Sequence, residues 1–139
     1  MKRAYKILSM VPCILLLTVA FAADFKLYPG ARLDEKATQE AAEAAAGVTD
    51  AKSKIYVTKD SFAQVAGFYK GIAKEYAMPK ASGTSGKPKK YEDYDLWEAY
   101  FIFDGAKDLA ASKLWVKVQR PYIGEDVRDV TAIVMTERK

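Results

Sequence analysis

Three runs in the C-terminal half of this chain repeat their apolar residues with a period of two, and that pattern commits the chain to a sheet. They are Leu96–Phe103, Leu114–Gln119 and Asp129–Glu137. Successive side chains of a strand point to opposite faces, so such alternation sends one set to a core and the other away from it. In the first run Trp97, Ala99, Phe101 and Phe103 form the core set, and Glu98, Tyr100 and Ile102 the other. In the second, Leu114, Val116 and Val118 stand against Trp115, Lys117 and Gln119. Asp104-Gly105 turns the chain between them, residues 106–112 leave room for one helical turn, and the two strands are expected to pair antiparallel. Pro121 ends the second, because proline has no N–H for the ladder. The last run is apolar on both sides at its middle, Val130, Ala132 and Val134 against Ile133 and Met135. That is the pattern of a central strand, or of one whose second face meets a helix or a partner.

The N-terminal half supplies helices. Tyr28-Pro29-Gly30 turns the chain. Asp34 then caps a helix running through Ala46, with Gly47 as its stop and Leu33, Ala37, Ala41, Ala44 and Ala45 on one face. Alanine favours the helix but buries little area, so this element docks least firmly. A short β-branched and aromatic run, 54–58, reads as a strand. In KDSFAQVAGFYK, residues 59–70, Ser61 and Gln64 have the spacing of a capping box, and Asp60 adds favourable charge at the helix start. Phe62, Val65, Ala66, Tyr69, Ile72, Ala73 and Tyr76 follow at helical spacing, and Pro79 ends the helix after Tyr76. The Lys-Asp-Ser trio is therefore a cap and the aromatics are core. Residues 79–95 are rich in Gly, Ser and Lys and read as a flexible loop. Together these elements predict an α+β domain over 23–139, with an antiparallel sheet of about four strands and two helices packed on one face.

Residues 1–22 have the organisation of a cleaved signal peptide. Lys2, Arg3 and Lys6 precede an apolar run from Ile7 to Phe21 that ends in Ala20-Phe21-Ala22. The run is short of the roughly 20 apolar residues a bilayer requires, and Ser9, Pro12 and Thr18 interrupt it, so no stable membrane insertion is expected after cleavage. Three of the 22 basic residues leave with this segment and none of the 18 acidic ones, so the net charge falls from +4 to +1. A nucleic-acid partner loses its electrostatic basis. The single cysteine, Cys13, leaves as well, and packing alone must stabilise the exported domain, periplasmic or extracellular.

The chain has no histidine. That excludes Ser-His-Asp and Cys-His nucleophiles, haem attachment through CxxCH and the usual zinc sites, and neither a Gly-rich dinucleotide fingerprint nor a P-loop occurs, so no metal and no cofactor is expected. Glu92, Asp93, Asp95 and Glu98 form the densest acidic cluster, the one place where paired carboxylates could support an envelope hydrolase. The other polar cluster is QRPYIGEDVRD, where Arg120 and Arg128 bracket a turn with Tyr122. Guanidinium groups hold carboxylate or phosphate bidentately, so Arg120, Tyr122 and Arg128 are the candidate binding residues for an anionic partner. The competing account pairs the two arginines with Glu125, Asp126 or Asp129 and makes the cluster a hairpin clasp.

Tyr28-Pro29-Gly30-Ala31, then Y-x-T-x-D-S-F-x-x-V-x-x-F-Y from Tyr56 to Tyr69, with FIFDGAKD, SKLWVKVQRPYIG and DVRDVTAIV further on, resemble a group of small exported bacterial proteins of uncharacterised function. The likeness spans most of residues 23–139 and implies export; the group has no assigned catalytic residues. The reading that follows is an exported, non-enzymatic interaction or ligand-binding domain of the cell envelope. Its expected partner is an unknown protein or an anionic small molecule, engaged by one sheet face or the hairpin end, and a homodimer with a buried sheet face is a third arrangement.

Overall fold

The computed structural model describes residues 24–139. The expected signal peptide, 1–22, lies outside them. In chain order the elements are β1 (Arg32–Leu33), α1 (Glu35–Ala45), β2 (Lys52–Thr58), α2 (Phe62–Lys70), β3 (Lys74–Tyr76), β4 (Lys89–Tyr91), β5 (Tyr94–Ile102), β6 (Leu114–Arg120), β7 (Tyr122–Ile123), β8 (Val127–Arg128) and β9 (Thr131–Glu137). The fold is α+β with an antiparallel sheet, but the sheet has seven strands rather than about four. Its order is β1-β2-β9-β6-β5-β3, with β4 also on β5, and β7-β8 is a separate two-stranded ribbon. The four long strands are the expected ones. The additions, β1, β3 and β4, have only two or three residues each, too few to show an alternation. Their ladders come from neighbouring strands that leave backbone groups to be paired.

A second correction concerns the layers. The helices do not share a face. α2 packs Phe62, Val65, Ala66 and Tyr69 onto Ala99, Phe101, Val116, Val118, Ile133 and Met135, with Tyr56 at the margin. α1 places Ala37 and Ala41 against Ile55, Val57, Ala132 and Val134, with Tyr122 closing the cluster. Ile55 and Tyr56, like Ala132 and Ile133, are chain neighbours on one strand and so point to opposite faces. β9, apolar on both sides and paired to both β2 and β6, is central as its composition anticipates, and both of its faces need cover.

The ends of α2 show one expectation met and one corrected. Ser61 Oγ accepts from Gln64 N–H at 3.2 Å and Gln64 Oε1 accepts from Ser61 N–H at 3.1 Å, the reciprocal capping box. The helix stops at Lys70, not Tyr76. Gly71, a poor helix former, caps it, and Lys74–Tyr76 leaves as a strand that pairs with Tyr100–Ile102 of β5. Ile72, expected in the core, is exposed, and Tyr76 lies across from Tyr100.

The 79–95 segment is not free of regular structure. β4 forms a hairpin with β5, pairing Tyr91 with Tyr94 and Lys90 with Asp95. Ser82 is buried, its hydroxyl donating to Glu98 O and accepting from Glu98 N–H, both at 2.9 Å. Gly86 runs so close to the Ser82 carbonyl that a Cβ there would collide with it.

Candidate functional site

Arg120, Tyr122 and Arg128 do not converge. Tyr122 is buried on the α1 face beside Ala37, Ile55 and Ala132, and burial, aided by Glu40 and Asp34, pushes its phenol pKa up. Arg128 faces Tyr122 in the ribbon, and its guanidinium pairs with the Asp34 carboxylate. That same carboxylate accepts from Ala37 N–H at 2.9 Å as the N-cap of α1. Arg120, paired with Trp97 across β5 and β6, turns toward the start of α2 on the other face. There it donates to Asp60 O at 3.1 Å, Thr131 Oγ1 at 2.9 Å and Asp129 Oδ1 at 3.1 Å. Asp129 is one of the partners expected for a hairpin clasp. Asp34, far off in sequence, is not. With the guanidiniums on opposite sides of the sheet and each held by a carboxylate, the geometry gives no shared anion site.

Asp34 carries a pH signature. The Ala37 N–H, then the Arg128 guanidinium, hold its carboxyl below the usual carboxylate range. A depressed folded-state pKa contributes stability that is complete above the unfolded value, near 4, and is lost as pH falls through the folded one. Asp34→Ala should therefore cost about 1 to 2 kcal/mol at neutral pH through loss of the cap. In urea titrations repeated at descending pH, the gap between wild type and variant should close below about pH 4; a gap that persists there would rule out this origin.

The acidic cluster is also divided. Glu92 and Asp93 form the turn of the β4-β5 hairpin. Asp95 pairs with Lys90 at 2.7 Å, whereas Glu98, three residues on and so on the other side of β5, accepts from Tyr100 OH at 3.1 Å and lies 3.9 Å from Lys89 Nζ. Among the described residues no group of three or more His, Cys, Asp or Glu is placed to hold a metal ion.

What the sequence reading placed away from the core, without singling it out, is the rest of the α1 face. α1 covers β2 and β9 there, but not β6, β5 and β3. Cross-strand register lays out two rows. One runs Ile55, Val134, Lys117, Tyr100, Tyr76, and the next Ser53, Thr136, Trp115, Ile102, Lys74. Tyr76, Glu98, Tyr100, Trp115 and Lys117 are half-buried, and Tyr100 and Trp115 lie 6.2 Å apart, ring to ring. At the hairpin end of β5, Tyr91 and Tyr94 are 38% and 42% exposed as a facing pair on the same side. Beyond Trp115 the surface dips into a groove of about 410 Å³, floored by Ser53 and Thr136 and walled by Ala45 of α1 and by Leu109 and Ala110. Lys117 sits in the middle of this surface. Burial lowers its ammonium pKa, with the Glu98 charge opposing in part, and among the described residues nothing hydrogen-bonds to or pairs with it. Burial, then Glu98, raises the Tyr100 phenol pKa.

No protein-family model, curated protein or solved structure matches the chain. Among the described residues no helix is long and apolar enough to cross a membrane.

Proposed function

We propose that the chain is an exported, non-enzymatic binding domain whose working surface is the part of the sheet face that α1 leaves uncovered. The observation that carries this reading is the run of Tyr91, Tyr94, Tyr100 and Trp115 along that surface, two of them more than a third exposed. Tyrosine and tryptophan offer large, rigid contact area with a polar edge, and their presence at exposed positions supports an interaction surface. A hydrolase would need two acids meeting in one cleft, and the division of Asp95 from Glu98 counts against that. The apolar run and Ala-x-Ala end of residues 1–22 support export, as does the resemblance to small exported proteins.

One preparation tests both parts. Protein taken from the exported fraction should give an intact mass that starts at Ala23, and the immobilised domain should retain a partner from envelope extract. The Tyr91→Ala, Tyr94→Ala double variant, altered only at exposed positions, should melt within a degree or two of wild type and lose that partner. Retention unchanged in the double variant removes the proposed surface; a mass that includes Met1 removes export.

A further inference from the structure

Lys117 is out of place for a purely structural sheet. Its row neighbours are Val134 and Tyr100, and Trp115 and Gln119 stand two residues away on the same strand. An ammonium set among such groups is costly, because desolvation penalises the charged form and an unpaired buried charge is destabilising. Neither polar side chain beside it, Glu98 or Gln119, serves it alone. Glu98 receives the Tyr100 hydroxyl and faces Lys89, and Gln119 Oε1 accepts from Ile123 N–H. The only side-chain polar atom sealed from solvent without a partner, among the described residues, is Thr84 Oγ1, so the Lys117 ammonium is not fully sealed from solvent. A charge with three donors, flanked by the rings of Tyr100 and Trp115 and sharing the one Glu98 carboxylate with Lys89, matches a ligand that brings a further negative charge.

We infer that the proposed binding surface takes a ligand joining a flat apolar or aromatic body to a single carboxylate, and that Lys117 is the residue that reads the carboxylate. The inference rests on the reading of this face as the working surface. One negative charge fits better than two: Lys117 and Lys89 together exceed the single Glu98 carboxylate by one positive charge, and that carboxylate repels a second anionic charge such as that of a phosphate monoester. The body of the ligand lies over Trp115 and Tyr100, where offset ring contacts are favourable.

The two tryptophans give the experiment an internal control, because Trp97 lies on the α2 face and packs on Phe62. Uniformly ¹⁵N-labelled protein is titrated with 1-naphthoate and, separately, with its uncharged counterpart 1-naphthalenemethanol, following both indole N–H signals. Naphthoate should move Trp115 and leave Trp97 still. Lys117→Met should weaken naphthoate at least about tenfold, the loss expected for one charge-assisted contact, and should leave the alcohol unchanged. Lys117→Gln, polar but uncharged, should behave like Lys117→Met. If naphthoate and the alcohol move Trp115 with equal affinity in wild type and variants, the carboxylate assignment is overturned and the surface stands. If neither moves Trp115, or only Trp97 responds, the surface itself is wrong.

Discussion

Tyr69→Ala lowers the stability of the domain by about 4 kcal/mol, the scale of a large aromatic removed from a packed interior. Tyr69 is fully buried, and its ring lies 5.1 to 6.4 Å from those of Phe25, Phe68, Phe101 and Phe103. Those rings come from the N-terminal segment, α2, and β5 with the residue that follows it. The cavity therefore opens where three parts of the chain meet, and no single neighbour can close it. Tyr69→Phe keeps the ring and removes only the oxygen that accepts from Tyr28 N–H at 3.1 Å, so it should cost about 1 kcal/mol. The two variants differ with pH as well. Burial raises the Tyr69 phenol pKa, so the folded chain keeps a proton that the unfolded chain gives up near pH 10. That contribution is complete below about pH 10 and is lost as pH climbs through the raised value, and Tyr69→Phe removes this sensitivity. Urea titrations at neutral pH and at about pH 11.5, above the unfolded tyrosine value, measure both effects. A loss under about 1 kcal/mol for the alanine variant would mean that α2 is not docked through this ring.

Arg120→Ala lowers stability by about 2 to 3 kcal/mol, whatever it does to binding. The guanidinium fastens two separate pieces of chain, the connection between β2 and α2 through Asp60 O, and the entry to β9 through Asp129 Oδ1 and Thr131 Oγ1. Thr131 Oγ1 in turn donates to Asp60 O at 2.6 Å, so the arginine completes a closed network around a fully buried threonine. The side chain is 23% exposed, which keeps screening from erasing the effect. Arg120→Lys should recover little, because one ammonium cannot reach along the two arms of the fork. Arg128→Ala should cost less, about 1 kcal/mol or under, since that pair is 43% exposed on the arginine side. Thermal melts of the four proteins decide the matter. If Arg120→Ala melts like wild type yet loses the envelope partner, the residue is a binding residue and the surface around Lys117 has a competitor.

The two arginines illustrate how far local reading carries. That they bracket a turn is legible in QRPYIGEDVRD, and so is Asp129 as one of three acids within reach of Arg120, the structure choosing it. The pairing of Arg128 with Asp34 is not, because nothing local brings the start of α1 to the ribbon. The early end of α2 is a similar case. Phe62 to Tyr76 keeps a helical spacing of apolar residues, but the exposed edge of β5 competes for Lys74–Tyr76, and three strand pairings there outweigh one more turn of helix after Gly71.

By itself the sequence determined the elements whose stabilising interactions are local or periodic. These are the caps at Asp34 and Ser61, the four long strands, the antiparallel pairing of β5 with β6, the central character of β9, and the absence of histidine from any chemistry. Period-two alternation also divides Trp115, Lys117 and Tyr100 from Val116, Val118 and Phe101. Only the tertiary structure decided which side of the sheet each helix covers. An alanine-rich helix has too narrow an apolar face to span six strands, so once α1 settles over β2 and β9 the remaining surface, half-buried around Lys117, has no helix over it. That outcome depends on where a distant element docks, and no spacing within β5 or β6 encodes it.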